Sequence, residues 1–236
     1  DELTGDKDQP VLESYMTAVF ALQASFEGCA GIALRAGATM NLKLSKIEPA
    51  AEKNALFIDQ TSSLVSESNQ FLPQSNTVQW HIQVNGDGIF RSDLIQGGVY
   101  ANGARLTLQD IDFRDNGVGR LFLAAHFGSY LTIKESSFSG AYINTFQGGT
   151  VHLVHDPSEV HDDVEFAIDN GSLSFGGTFR GSNISATLTN LAYANLGKWE
   201  AGGAQVVNQS SIHLGHSSYL KAFATDGIDG YSVSCL

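Results

Sequence analysis

Cysteine is almost missing from this chain of 236 residues: Cys29 and Cys235 are the only two. Two cysteines exclude a disulfide scaffold and offer no zinc-finger spacing. They leave either one long-range Cys29–Cys235 bond or two separate thiols, and an intermolecular bond through Cys235 is also open. Proline is scarce, at 4 residues, and charged residues are only 16% of the chain, below the usual quarter. Basic residues are the scarcer sign, 13 against 25 acidic ones, for a net charge of −12. This argues against a nucleic-acid partner, which needs a basic footprint, and against docking on an anionic membrane surface. No apolar run reaches the length of a membrane-spanning helix, so no membrane insertion is expected. The opening DELTGDKDQP has no basic and apolar leader pattern, so any signal peptide is expected to have been removed.

What the chain does have is glycine, 25 residues of it, and 42% hydrophobic residues, enough for a sizeable core. It also has a repeat. LTLQDIDF at 106–113 is echoed by LTIKESSF at 131–138, each with two apolar residues one apart and a Phe seven positions after the first. Shorter forms follow as VHLVHD at 151, LSFGGTF at 173, ANLGKW at 194 and IHLGHSSY at 212. The starts at 106, 131, 151, 173, 194 and 212 are 25, 20, 22, 21 and 18 residues apart, in the range of solenoid repeats. A second apolar run follows each first one, at 121–125, 142–146, 164–168, 184–188 and 204–207, and DNG, QGG or AGG punctuates the corners.

Short alternating strands at this period predict an all-β fold: a right-handed parallel β-helix in which one coil stacks on the next. An antiparallel sandwich would share the strand spacing but not the in-register aromatic. The first hundred residues are less regular. VLESYMTAVFALQASF at 11–26 carries apolar residues at 12, 15, 16, 19, 20, 22 and 26, which predicts an amphipathic helix. A solenoid needs a cap over its end, so residues 1–37 are expected to form an N-terminal helix and cap, with the solenoid over 38–236 and regular coils from about 100. ATMNLKL at 38–44 and TVQWHIQV at 77–84 read as strands.

These repeats and Gly-rich corners resemble the right-handed parallel β-helix of secreted bacterial surface proteins, such as autotransporter passengers and adhesins. The resemblance is one of fold style over roughly 100–236 and carries no catalytic motif with it. It implies a secreted or cell-surface location.

Stacking converts alignment into geometry. The outward position between the paired apolar residues gives Thr107, Thr132, His152, Ser174, Asn195 and His213, expected to form one polar column and a binding face. Two positions past the second apolar residue lie Asp110, Glu135 and His155. Two carboxylates beside an imidazole could divide acid and base roles, as glycosidases require. HLVHDPSEVHDD at 152–163 gathers His152, His155, His161 and Asp162, residue types that suit zinc. A spacing of three would unite His152 and His155 on a helix but separates them on a strand, so the segment reads first as a polar loop and no metal is expected.

The leading expectation is therefore a non-enzymatic, surface-associated solenoid acting in adhesion or extracellular assembly. Its partners would be a glycan, a surface protein or further copies stacked end to end, and it needs no cofactor. The alternatives are a carbohydrate-active enzyme on the same fold and a structural subunit of an extracellular filament.

Overall fold

The structure is a computed structural model. It describes residues 2–4, 10, 12–28, 30–72, 80–114, 120–136, 138–154, 161–176, 178–182, 185–195, 198–206, 211–214, 219–224 and 232–235. Every regular element among them is a β-strand, and the ladders between coils are parallel. The chain is a parallel β-solenoid with three faces. Each coil visits face 1, then face 2, an 11-stranded sheet, then face 3, which includes a six-stranded sheet; a 13-stranded sheet covers face 1 and continues through Lys198–Val206 onto the short face 3 strands Thr178–Ser182 and His161–Asp162. One coil runs through Gly98–Asn102, Arg105–Gln109 and Asp112–Arg114; the next opens with Leu121–His126 and Tyr130–Lys134.

The repeat is the stacking register. Leu106 pairs with Leu131 and Leu108 with Ile133, all four buried on the inner side of face 2. The register continues from Leu131 to Val151, Leu173, Ala194 and Ile212, so the strand starts read from the sequence form one column. The recurring Phe belongs to face 3: Phe113 and Phe138 meet edge to face with centroids 6.4 Å apart. Alternation follows from the strand period of two, which sends Leu, Ile, Val and Phe inward and polar residues outward. Each fully buried Leu or Ile contributes roughly 1.5–3 kcal/mol relative to an exposed one.

Corners decide where the faces turn. Between faces 1 and 2, successive residues with positive φ make the bend, as at Ala36 (51°) and Gly37 (83°) or Gln147 (48°) and Gly148 (84°). Each pair closes a hydrogen bond, from the Ala38 amide to the Arg35 carbonyl and from the Gly149 amide to the Phe146 carbonyl. Asp59 braces the first of these corners. Partial burial pushes its carboxyl up, but hydrogen bonds from Ser62, the Ala36 amide and the Thr61 amide and hydroxyl outweigh that and pull it down to about 2.

The expected N-terminal capping helix at 11–26 is not formed. Those residues make one more coil, through Leu12–Tyr15, Ala18–Leu22 and Ser25–Glu27. Their ladders run to Ile32–Arg35, Thr39–Lys43 and Lys46–Glu48. The apolar spacing that mimics a helical stripe comes from three short strands broken by positive-φ corners at Met16 and Gln23. Val19, Ala21 and Phe26 turn inward, whereas Tyr15, Met16, Phe20 and Leu22, all on the supposed helical stripe, are exposed. Interstrand bonds to the next coil override the local period, and the ladders cross residue 38 without a break. Cys29 lies outside the described residues; Cys235 pairs with Leu214 by register, and the question of a disulfide between them falls outside as well.

Close packing makes some corner glycines irreplaceable. A Cβ on Gly149 would sit 1.7 Å from the Ala125 carbonyl oxygen, whereas one on Gly128 meets nothing within 4 Å and only strains a φ of +74°. Gly149→Ala is expected to cost more than about 3 kcal/mol, or the fold itself, and Gly128→Ala about 1 kcal/mol. Thermal unfolding followed by circular dichroism separates the two.

Candidate functional site

The expected polar column runs along face 2 from Thr107 to Asn195, with Thr132 buried within it, and its register continues to His213. Thr107 pairs with Thr132, Thr132 with His152, His152 with Ser174, Ser174 with Asn195, and Asn195 with His213. Toward the N-terminus the same column continues through Ile89, Val65, Asn41 and Phe20. Its members bond along the stack: His152 Nδ1 lies 2.7 Å from Ser174 Oγ, and in the neighbouring column Thr150 Oγ1 lies 2.8 Å from Ser172 Oγ. Within this column Thr107 and Thr132 are short, and His152 is the largest polar side chain among the described ones. Lys43 and Glu67 pair along the edge column of the same face.

Asp110 and Glu135 also occupy equivalent positions on adjacent coils, at the bend from face 2 to face 3. Both have positive φ, 54° and 49°. Their amides donate to the Lys134 and Val154 carbonyls of the following coils. The same bend is filled by Gln23, Leu44, Ser68 and Ser92 in earlier coils, each with φ between 50° and 58°. The position selects a left-handed backbone, which Asp tolerates better than most residues; it does not select a carboxylate. Within that constraint the two acids share one open groove with Ser92, Asp93, Ile111 and Asp112. Ser92 Oγ donates to Asp110 Oδ2 over 2.8 Å, and Gln109 Nε2 donates to Glu135 Oε2 over 3.0 Å. His155, the third member of the supposed acid–base set, lies outside the described residues.

The zinc-like cluster is not assembled by the residues that are described. His152 sits within the strand Thr150–Val154, not on a helix. His161–Asp162 is a separate short strand on face 3. Among the described residues no group of three or more His, Cys, Asp or Glu is placed to hold a metal ion.

Two features were missed at the sequence level. The first is the floor of the groove, where side chains of one coil bond the corner amides of the coil before it. Ser45 Oγ accepts from the Ala24 amide, Asn69 Oδ1 from the Ser45 amide, Asp93 Oδ1 from the Asn69 amide and Ser136 Oγ from the Ile111 amide. Asn69 Nδ2 also donates to the Leu42 carbonyl and to Ser66 Oγ. Asp93 is 1% exposed. Burial pushes its carboxyl up to about 6, against hydrogen bonds from Asn69, Ser66 and the Arg91 amide that act the other way.

The second is a set of rings on the outer side of face 1. Tyr100, His126 and Phe146 step diagonally over three coils, with centroids 5.1 and 5.6 Å apart. Phe127 flanks the last two at 6.1 and 6.0 Å, and Phe122 and Tyr142 form a second stack at 5.9 Å. The signal was present: Phe122 and Tyr142, like His126 and Phe146, lie 20 residues apart, one coil's length.

Comparison with known proteins finds no matching family, no matching curated protein and no matching solved structure.

The buried Asp93 generates a pH dependence of definite sign. The folded chain holds the Asp93 proton up to about pH 6, while an unfolded chain releases it near pH 4. Between those values the folded state binds more protons, so this group's contribution to stability is full below the window and is lost as pH rises through it. Asp93→Asn keeps the acceptor and removes the charge. Its stability relative to wild type is expected to rise by about 3 kcal/mol from pH ~4 to pH ~7, measured as urea unfolding of both proteins across that range.

Proposed function

We propose that this chain is a non-enzymatic, surface-associated solenoid that binds through its outer faces, in adhesion or extracellular assembly. The observation that carries this reading is the column on face 2, where one side chain per coil from Thr107 to His213 stands in register. A rigid parallel stack presents these groups without further ordering cost, which is what an extended binding surface requires. Thr107, Thr132, His152, Asn195 and His213 are the contact residues in this reading. A glycan or surface protein is the partner, and the low charge and β-structure suit a secreted or cell-surface setting. We take the coils to wind right-handedly, the sense that twisted parallel strands favour.

A second reading, a carbohydrate-active enzyme, draws on the groove that brings Asp110 and Glu135 together. The two separate in one experiment: the immobilised full chain is exposed to a glycan panel scored for retention and for new reducing ends. The binding reading expects retention without cleavage, weakened about tenfold by His152→Ala or Thr107→Lys. Cleavage abolished by Asp110→Asn and Glu135→Gln would overturn it in favour of the enzyme.

A further inference from the structure

We propose that the ring row on face 1 is a binding site for an uncharged polysaccharide chain laid across the coils. Tyr100, His126 and Phe146 offer one ring per coil, with centroid steps of 5.1 and 5.6 Å. These steps are close to the repeat of an extended pyranose chain, so successive sugars can meet successive rings. The rings are tilted against one another, at 88° and 61°. A ligand therefore meets ring faces, which suit the apolar C–H side of a sugar, while the Tyr100 hydroxyl and the His126 ring nitrogens supply the polar groups.

Phe127, 51% exposed, extends the row at the bend toward face 2. Elsewhere on face 1 the Tyr100 column holds Ala33, Phe57, Gln83 and Ala167. It has one more ring at Phe57, which lies under the Arg35 guanidinium at 4.9 Å. Phe127 is exposed, and Tyr100, His126 and Phe146 are half-buried with part of each ring open to a ligand.

Size and charge select the occupant. Three coils by one strand amount to roughly 200 Å² of sheet face, well under the ~800 Å² per partner that a stable protein interface buries. That is room for a few sugar rings and too little for a second copy of the chain. The row itself carries no carboxylate; Asp169, the register neighbour of Phe146, accepts from Asn190 and adds a negative charge at that end. Arg120 pairs with Glu165 at 3.0 Å and lies over the Tyr142 ring at 5.6 Å. A net charge of −12 disfavours acidic polysaccharides.

The test is titration calorimetry of the full chain with uncharged gluco-, manno-, galacto- and xylo-oligosaccharides long enough to cross the row, beside the polyanion alginate. The expected result is binding of at least one uncharged series. Phe127→Ala and Phe146→Ala should each weaken it by about tenfold or more. Phe127→Ala lies at a bend and is half exposed, so an unchanged circular dichroism spectrum certifies its fold. Leu44→Ala, at an exposed bend away from both binding faces, should leave this affinity unchanged. The proposal is overturned if no uncharged series binds, if alginate binds better, or if the phenylalanine variants bind as wild type. It is also overturned if Leu44→Ala abolishes binding, or if Phe127→Ala dissolves a concentration-dependent dimer seen by sedimentation velocity.

Discussion

The parallel hydrogen-bond ladder between successive coils is the constraint from which everything else follows. Because Leu106 sits over Leu131 and Leu131 over Val151, a residue's neighbours in space are its counterparts in the repeats before and after. Inward positions therefore become continuous apolar columns and outward positions continuous surface columns. The ladder breaks only at corners, where strand geometry ends and carbonyls and amides must find other partners. At the bend from face 2 to face 3 that need is met by Ser45, Asn69, Asp93 and Ser136, whose side chains take over where the strand ladder turns. The cost is a carboxyl buried inside the solenoid.

The outer surface is divided by the same logic into regions of different chemistry. Face 2 carries one column of hydroxyl and imidazole groups flanked by charged residues such as Lys43 and Glu67, face 1 carries a compact ring cluster, and the bend between faces 2 and 3 forms a groove with acidic residues on its rim. They differ because outward positions are free of the core's demands, so neighbouring columns can diverge. Asp110 and Glu135 show that the freedom is partial. Their backbone is dictated by the bend, and only their side chains are available to function. A carboxylate at such a position is weaker support for catalysis than one held by its own dedicated contacts.

The sequence was most legible where stacking made period and register the same thing. Thr107, Thr132, His152, Ser174, Asn195 and His213 could be aligned by eye because each follows an inward apolar residue whose place in the coil is fixed. The segment 11–26 misled because three strands joined by bends at Met16 and Gln23 happen to space their apolar residues like a helix. Its exposed Phe20 and Leu22 counted toward that stripe although they face away from the core. Face 3 left little trace, since strands as short as Gln70–Phe71 are too brief to show alternation. The partners of Asn69 and Asp93 were illegible for another reason: a side chain that bonds a backbone amide one coil away has no periodic signature. The ring row was overlooked because Phe122, Tyr142 and Phe146 were absorbed into apolar runs, while His126 fell just past the end of one.

The ladder bonds run along the long axis of the solenoid, and this has a mechanical meaning. Tension applied along that axis loads them one coil at a time, in an unzipping geometry, rather than shearing many together. A coil of 20 residues, such as the one from Leu131 to Val151, would release about 70 Å of contour length as it peels away. A molecule built this way yields in steps, each short of complete rupture, and can behave as an extensible tether that dissipates work while its remaining coils stay folded.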